Sequence, residues 1–225
     1  MKRTTSISAA CLLAATSLMA TVSNADDDDM VMYKVTITNV MHANTLAPVL
    51  VATHESGMSF FKVGDAPDDE LAWLSEAGNG NPMREKLLGN PMVNDAQLSD
   101  GGIPAGQSKS VIVKASKDER NVSVGSMIGK SNDAFAGLRD VRLPRGDKSV
   151  TYTADGYDAG AESNDETVET VPACGMGAAA AYSGTETGEG FIHIHNGIRG
   201  KGCLDADTQD WKNPVAYITI QRMKN

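Results

Sequence analysis

The feature that most constrains this chain is a series of short runs in which apolar and polar residues alternate. Tyr33, Val35 and Ile37 alternate with Lys34, Thr36 and Thr38. Val111 and Val113 alternate with Ser110, Ile112 and Lys114 in a more apolar version of the same pattern. Runs at 122–128, 148–153, 190–195 and 215–221 have similar character. The run 48–53 adds another, with Pro48 at its first position, where a missing N–H is tolerated. A period of two sends successive side chains to opposite faces, as half-buried strands require. Turns rich in Gly, Asn and Asp separate the runs, and no long amphipathic helical segment competes with them. Seven or more such strands predict an all-β fold, an antiparallel β-sandwich or barrel. The first and last runs are both strand-like, so they are expected side by side in one sheet.

One stretch departs from the pattern. Residues 68–77 begin with three acids, carry Leu71, Trp73 and Leu74, and stop at Gly78, which are helix-end signals. Asn81-Pro82 followed by residues 83–88 and Gly89 reads as a second short helix with proline in its first turn. The two helices are expected as an insertion packed over an open end or edge of the sheet.

The chain has 225 residues, and its start reads as an export signal. Lys2 and Arg3 precede an apolar run from Ile7 to Val22, and Ser23 and Ala25 put small residues three and one before a cut. Residues 1–25 are therefore assigned as signal peptide, 26–31 as an acidic, solvated leader, and 32–225 as the domain. Loss of Lys2 and Arg3 takes the formal charge from −9 to −11. So acidic a chain repels phosphate backbones, which argues against nucleic-acid binding. No later apolar stretch approaches the roughly 20 residues that span a bilayer. Of three cysteines, Cys11 leaves with the signal. Cys174 and Cys203 remain, and an even pair in an exported chain predicts a disulfide, two free buried thiols being the alternative.

No Gly-x-Ser-x-Gly elbow, phosphate-binding glycine loop, His-Glu-x-x-His or Cys-x-x-Cys is present. A non-enzymatic protein is expected on that basis. Oxygen ligands, by contrast, cluster in three loops: Ser131-Asn132-Asp133; Asp155, Asp158, Glu162, Asp165 and Glu166; and Asp205, Asp207 and Asp210. Calcium takes about six to eight oxygens from carboxylates, carbonyls and water, which acidic loops at one end of a sandwich supply. Gly160 lets the backbone turn so that Asp158 and Glu162 converge. In a chain of this charge the same loops are also explained as solvated surface. His193 and His195, two apart on a strand, point to one face and suit a transition metal if His54 or a third-loop acid supplies another ligand. Otherwise they form a hydrogen-bonded strand face.

The run Ser131-Asn-Asp133-Ala-Phe-Ala-Gly-Leu138 resembles the Ser-Pro-Asp-Trp-x-Val-Gly-Leu segment of the spondin N-terminal domain family. Tyr157-Asp158-Ala-Gly-Ala-Glu162-Ser is similar to that family's Trp-Asp-Ala-Gly-Thr-Asp-Ser. Residues 213–222 resemble its last strand and residues 33–40 its opening one. These landmarks come in the right order and span nearly all of the mature chain. The resemblance implies an extracellular, C2-like β-sandwich holding Ca2+ at its loop end. The family's ligand positions fall on Asp133, Asp158 and Glu162 here, the last a Glu in place of Asp. Ala134 and Phe135 replace the family's Trp and its neighbour. The thrombospondin repeats of the family's matrix proteins have no counterpart in this sequence, so their particular partners do not carry over.

Two function classes follow. One is a calcium-stabilised, exported adhesion or binding module whose partner is a glycan, a matrix polymer or a surface protein. The other is a transition-metal-binding protein or metalloenzyme built on His193 and His195. An all-oxygen calcium site needs neither a thiolate nor a neutral imidazole, so it is expected to work across extracellular pH.

Overall fold

The alternation at the start of the chain becomes β1 (Met30–Asn39), which buries Tyr33, Val35 and Ile37 on one face and leaves Lys34 and Met32 exposed on the other. The computed structural model describes residues 30–118, 120–175, 182–185 and 188–224; the signal segment 1–25 and most of the acidic leader lie outside the described residues. Met30 and Val31, expected in that leader, already belong to β1 and pair with Ser116 and Ala115.

The other strands are β2 (Leu50–His54), β3 (Val93–Leu98), β4 (Ser108–Ser116), β5 (Asn121–Met127), β6 (Ala134–Arg142), β7 (Val150–Asp158), β8 (His193–Ile194) and β9 (Ala216–Arg222). They pair antiparallel in the order β3-β2-β5-β6-β7-β9-β1-β4, with β8 beside β7. The terminal strands β1 and β9 are neighbours, as expected. β7 joins the two layers: Val150 to Ala154 pair with β9, and Asp155 to Asp158 with β6. The path nearly closes on itself. Asp95 and Asn94 of β3 accept from the Lys114 and Ser116 N–H groups of β4, and the Thr53 hydroxyl donates to the Lys114 carbonyl. Side chains thus occupy an edge that would otherwise offer unpaired backbone to another chain. The fold is an all-β antiparallel sandwich.

The interior between the layers is aliphatic, with Val35, Ile37, Val51, Val113, Val124, Ile218 and Ile220 among its buried residues. On the solvent face of the β1–β4 pair, Thr36 and Thr38 meet Ser110 and Ser108 hydroxyl to hydroxyl at 2.9 and 2.8 Å, cross-strand contacts that support the register.

The helices form where expected, as α1 (Asp69–Glu76) and α2 (Asn81–Leu88). Asp68 caps α1 by accepting from the Leu71 N–H. Their position differs from the expectation in part. α2 lies over the edge strand β3, as expected, whereas α1 covers the face of β5 and β6, because β2 and β5 are buried along nearly their whole lengths and need cover on both sides. Leu71, Leu74, Met83 and Leu87 pack with Leu50, Ala52, Phe60, Phe61 and Phe135 into a second apolar cluster. Burying each large side chain there contributes roughly 1.5–3 kcal/mol. Arg84 adds a hydrogen bond to the Ala96 carbonyl, which ties α2 to β3. Cys174, which ends a 3-10 turn (Pro172–Cys174), is joined to Cys203 in a disulfide, their Cα atoms 6.1 Å apart. Among the described residues, no helix is long and apolar enough to cross a membrane.

Candidate metal centre

Strand register makes Asp158 the hub of the loop end. It is the last residue of β7, opposite Ala134 of β6 on one side and opposite His193 of β8 on the other. Asp133 immediately precedes Ala134, so the two aspartates stand at adjacent strand ends. After Asp158 the chain reverses through Gly160, at φ +69°. A Cβ there would lie 2.3 Å from the Phe191 carbonyl oxygen, so only glycine fits. The reversal lets the Ala161 and Glu162 N–H groups donate to Asp133 Oδ2 at 2.8 and 3.1 Å. Asp158 Oδ1 accepts from the Gly160 N–H and Oδ2 from the Asn164 amide.

Asp133, Asp158 and Glu162 are all buried, with at most 2% of each exposed. Among the described residues, Asp133 Oδ1 and Glu162 Oε2 have no hydrogen-bond partner. Burial, then the charge of Asp158, holds the Asp133 carboxyl well above the usual carboxylate range. Burial, then the charge of Glu76, pushes Glu162 up to about 8. Without a metal, these carboxyls thus hold protons more readily than ordinary carboxylates do, and a cation placed here would compete with those protons.

Glu76, which the sequence did not single out, is the last residue of α1 and fully buried. The Ser183 N–H and hydroxyl both donate to its Oε2, at 2.6 and 3.2 Å, while Oε1 has no partner. Burial raises its pKa as well. Tyr182 stacks on Trp73 of α1 with ring centres 3.9 Å apart, which holds this segment on the helix. Acids at the ends of amphipathic helices are ordinarily solvated, so no sequence signal marks Glu76.

The third acidic loop is used locally. Asp205 caps the one-turn α3 (Ala206–Gln209), and Asp210 accepts from the Ile198 N–H and the Lys212 ammonium. Glu166 accepts from the Arg199 and Lys201 N–H groups and fastens the loop that leads to Cys203.

The two histidines separate in role. His195 Nδ1 accepts from the Gly197 N–H, so its Nε2 carries the proton and donates to Asn164 Oδ1 at 3.1 Å. Both nitrogens are engaged, and burial, only partly offset by Asp158, lowers its pKa, keeping the ring neutral. His193 Nδ1 donates to the Ile194 carbonyl at 3.0 Å, and its Nε2 lies 3.8 Å from Asp158 Oδ1. Among the described residues, Asp158, Glu189 and His193 are the group whose possible ligand atoms all lie within 4.8 Å of one another. Glu189, four residues before His193 in a glycine-flanked loop, had no sequence signal.

His54 does not join this group. Its Nδ1 donates to the Glu55 carbonyl, and its Nε2 accepts from the Ser123 hydroxyl at 2.8 Å. Asp140 Oδ1 lies 4.0 Å from Nδ1, which completes a Ser–His–Asp grouping. Ser123 and His54 are fully buried, and the Ser123 oxygen also accepts the Asp140 N–H. A substrate has no route to that hydroxyl, and the grouping serves as a hydrogen-bonded core.

No family model matches this chain, and a search of curated proteins finds no match to it.

Proposed function

We propose that this chain is an exported, non-enzymatic binding module whose loop end is held together by Ca2+ coordinated by Asp133, Asp158 and Glu162. The observation that carries the reading is the pair of buried, unpartnered carboxylate oxygens, Asp133 Oδ1 and Glu162 Oε2. A buried polar atom without a partner costs about 1–3 kcal/mol, more when charged, and a divalent cation removes that cost at several oxygens together. The likeness of two loops and the terminal strands to the spondin N-terminal domain supports the same site, and the disulfide fits an oxidising compartment. The partner class is a glycan, matrix polymer or surface protein, met outside the cell or in a periplasm. Metal analysis of the purified mature chain, followed by thermal melts in chelator and in millimolar calcium, tests the reading. Bound calcium and a melt raised by calcium are expected. A melt indifferent to millimolar calcium overturns it.

A further inference from the structure

The geometry points to a second metal site, which shares Asp158 with the calcium site proposed above and in which Asp158, Glu189 and His193 bind a first-row divalent cation of the zinc type. The ligand set differs in kind from the all-oxygen pocket beside it. An imidazole nitrogen with two carboxylates suits zinc and its neighbours, whereas calcium gains little from nitrogen.

Three observations carry the assignment. First, the ligand atoms of the three residues lie within 4.8 Å of one another, and His193 Nε2 is 3.8 Å from Asp158 Oδ1. With zinc bonds of about 2.0–2.2 Å, tetrahedral ligand atoms stand roughly 3.4 Å apart, so the His193–Asp158 pair needs to close by a few tenths of an ångström and the group as a whole by up to about 1.4 Å. Second, the orientation of the His193 ring is set by the chain. Its Nδ1–H is spent on the Ile194 carbonyl, which leaves Nε2 as the nitrogen that faces the carboxylate, at a distance too long for a hydrogen bond. Backbone anchoring of one ring nitrogen while the other binds metal is the usual arrangement of a ligating histidine. Third, Asp158 is oriented from behind. Asn164 donates to its Oδ2 at 2.7 Å and to Glu189 Oε1 at 3.3 Å, and His195 fixes that amide by donating to its oxygen. His195 is thus a positioning residue, and the His-x-His pair divides into one ligand and one support.

Asp158 is buried, His193 half-buried and Glu189 exposed, so the site opens toward solvent on the Glu189 side. Three protein ligands leave the fourth tetrahedral position to water, as in zinc sites that accept an outside ligand.

The test uses the mature, oxidised chain without a polyhistidine tag, stripped of metal and titrated with zinc alone by calorimetry. Cobalt substitution is read by its visible absorption, and melts verify folding of each variant. One zinc per chain is expected. His193→Ala and Glu189→Gln should each weaken zinc binding at least roughly tenfold, the lower end of what even an outer hydrogen-bond partner costs. Both variants should keep the full response to calcium. Asp133→Asn should bind zinc as the wild type does while losing the calcium response, so the ligands that the two sites do not share tell them apart. Absence of stoichiometric zinc, or zinc binding unmoved by both His193→Ala and Glu189→Gln in folded protein, overturns the assignment.

Discussion

Replacing Asp133 by Asn separates a cation ligand from an ordinary loop-fastening residue. The Asp133 carboxylate does two things: Oδ2 accepts the Ala161 and Glu162 N–H groups, and Oδ1 is buried without a partner. The Asn side-chain oxygen preserves the first role and removes the charge needed for the second. Binding of calcium to the folded chain alone stabilises it by about 1.4 kcal/mol at ten times the dissociation constant and about 2.7 kcal/mol at one hundred times. In a domain of this size each kcal/mol moves Tm by roughly 2–4 °C. The wild-type melt should therefore rise by about 3–6 °C at the lower occupancy and about 5–11 °C at the higher. Asp133→Asn should lose that rise, yet melt in chelator at or above the wild-type temperature, since it no longer buries an ionisable group against Asp158. Protonation adds a signed arm. Glu162 is raised to about 8 from an ordinary 4.5, so the native chain holds a proton that the unfolded chain has released. Without calcium, stability should grow as pH falls from about 8 toward 4.5, and the calcium-induced rise should shrink over the same window. Differential scanning calorimetry at several pH values reads both. A variant that keeps the full calcium response, or one whose chelator melt falls by several degrees, refutes the reasoning.

His54 gives the opposite pH dependence. Burial lowers its folded pKa below 6.5, so its contribution is complete above pH 6.5 and is lost as pH falls toward the folded value, with a slope of at most about 1.4 kcal/mol per pH unit. Denaturant midpoints of the calcium-free wild type and His54→Gln should diverge in that window; parallel curves would show that His54 titrates alike in both states. Converting Cys174 and Cys203 together to Ser should cost about 3 kcal/mol and lower Tm by roughly 6–12 °C, because the bridge closes a loop with a sequence separation of 29; an unchanged calorimetric melt contradicts this. Gly160→Ala should destabilise the chain by about 2 kcal/mol or more and weaken calcium binding, since its Cβ meets the Phe191 backbone at a positive φ; a wild-type melt and calcium titration would exclude that strain.

What could be read from the sequence follows the strength of local signals. β1, β4 and β9 were legible because one face meets the core and the other meets water, so their burial alternates with the sequence. β3 was not, because Val93-Asn-Asp-Ala-Gln-Leu98 is an edge strand whose Asn94 and Asp95 side chains bond β4 and whose burial does not alternate. β6 escaped the period-2 reading because its first five residues are buried on both sides. The helices announced themselves by their caps, but which surface they cover depended on β2 and β5 being apolar on both faces, which is a property of the assembled sheet. At the loop end, Asp133, Asp158 and Glu162 were singled out by the resemblance to the spondin N-terminal domain, and the fold buries all three there. Glu76 and Glu189 come from distant segments that only the fold brings near. The Asp205 loop looked equally ligand-like, yet Asp205 is occupied by its own turn and Asp210 by the Ile198 N–H and the Lys212 ammonium.

The buried acids pose a problem of charge that the chain does not solve by itself. The groups that act on Asp133, Glu162 and Glu76 are other carboxylates, backbone N–H groups, Asn132 and the Ser183 hydroxyl, with no lysine or arginine among them. Hydrogen bonds to one oxygen of each carboxylate fix its orientation but leave the second oxygen bare. Such a group must hold a proton or a metal, since an ionised carboxylate is costly to bury unpaired. Protons neutralise the acids one at a time and leave the bare oxygens without a shared partner. A divalent cation acts on several together, and the residues proposed to hold it, Asp133, Asp158 and Glu162, come from the segment before β6, the end of β7 and the loop that follows it. Calcium binding at this end would therefore fasten those strand ends and that loop to one another.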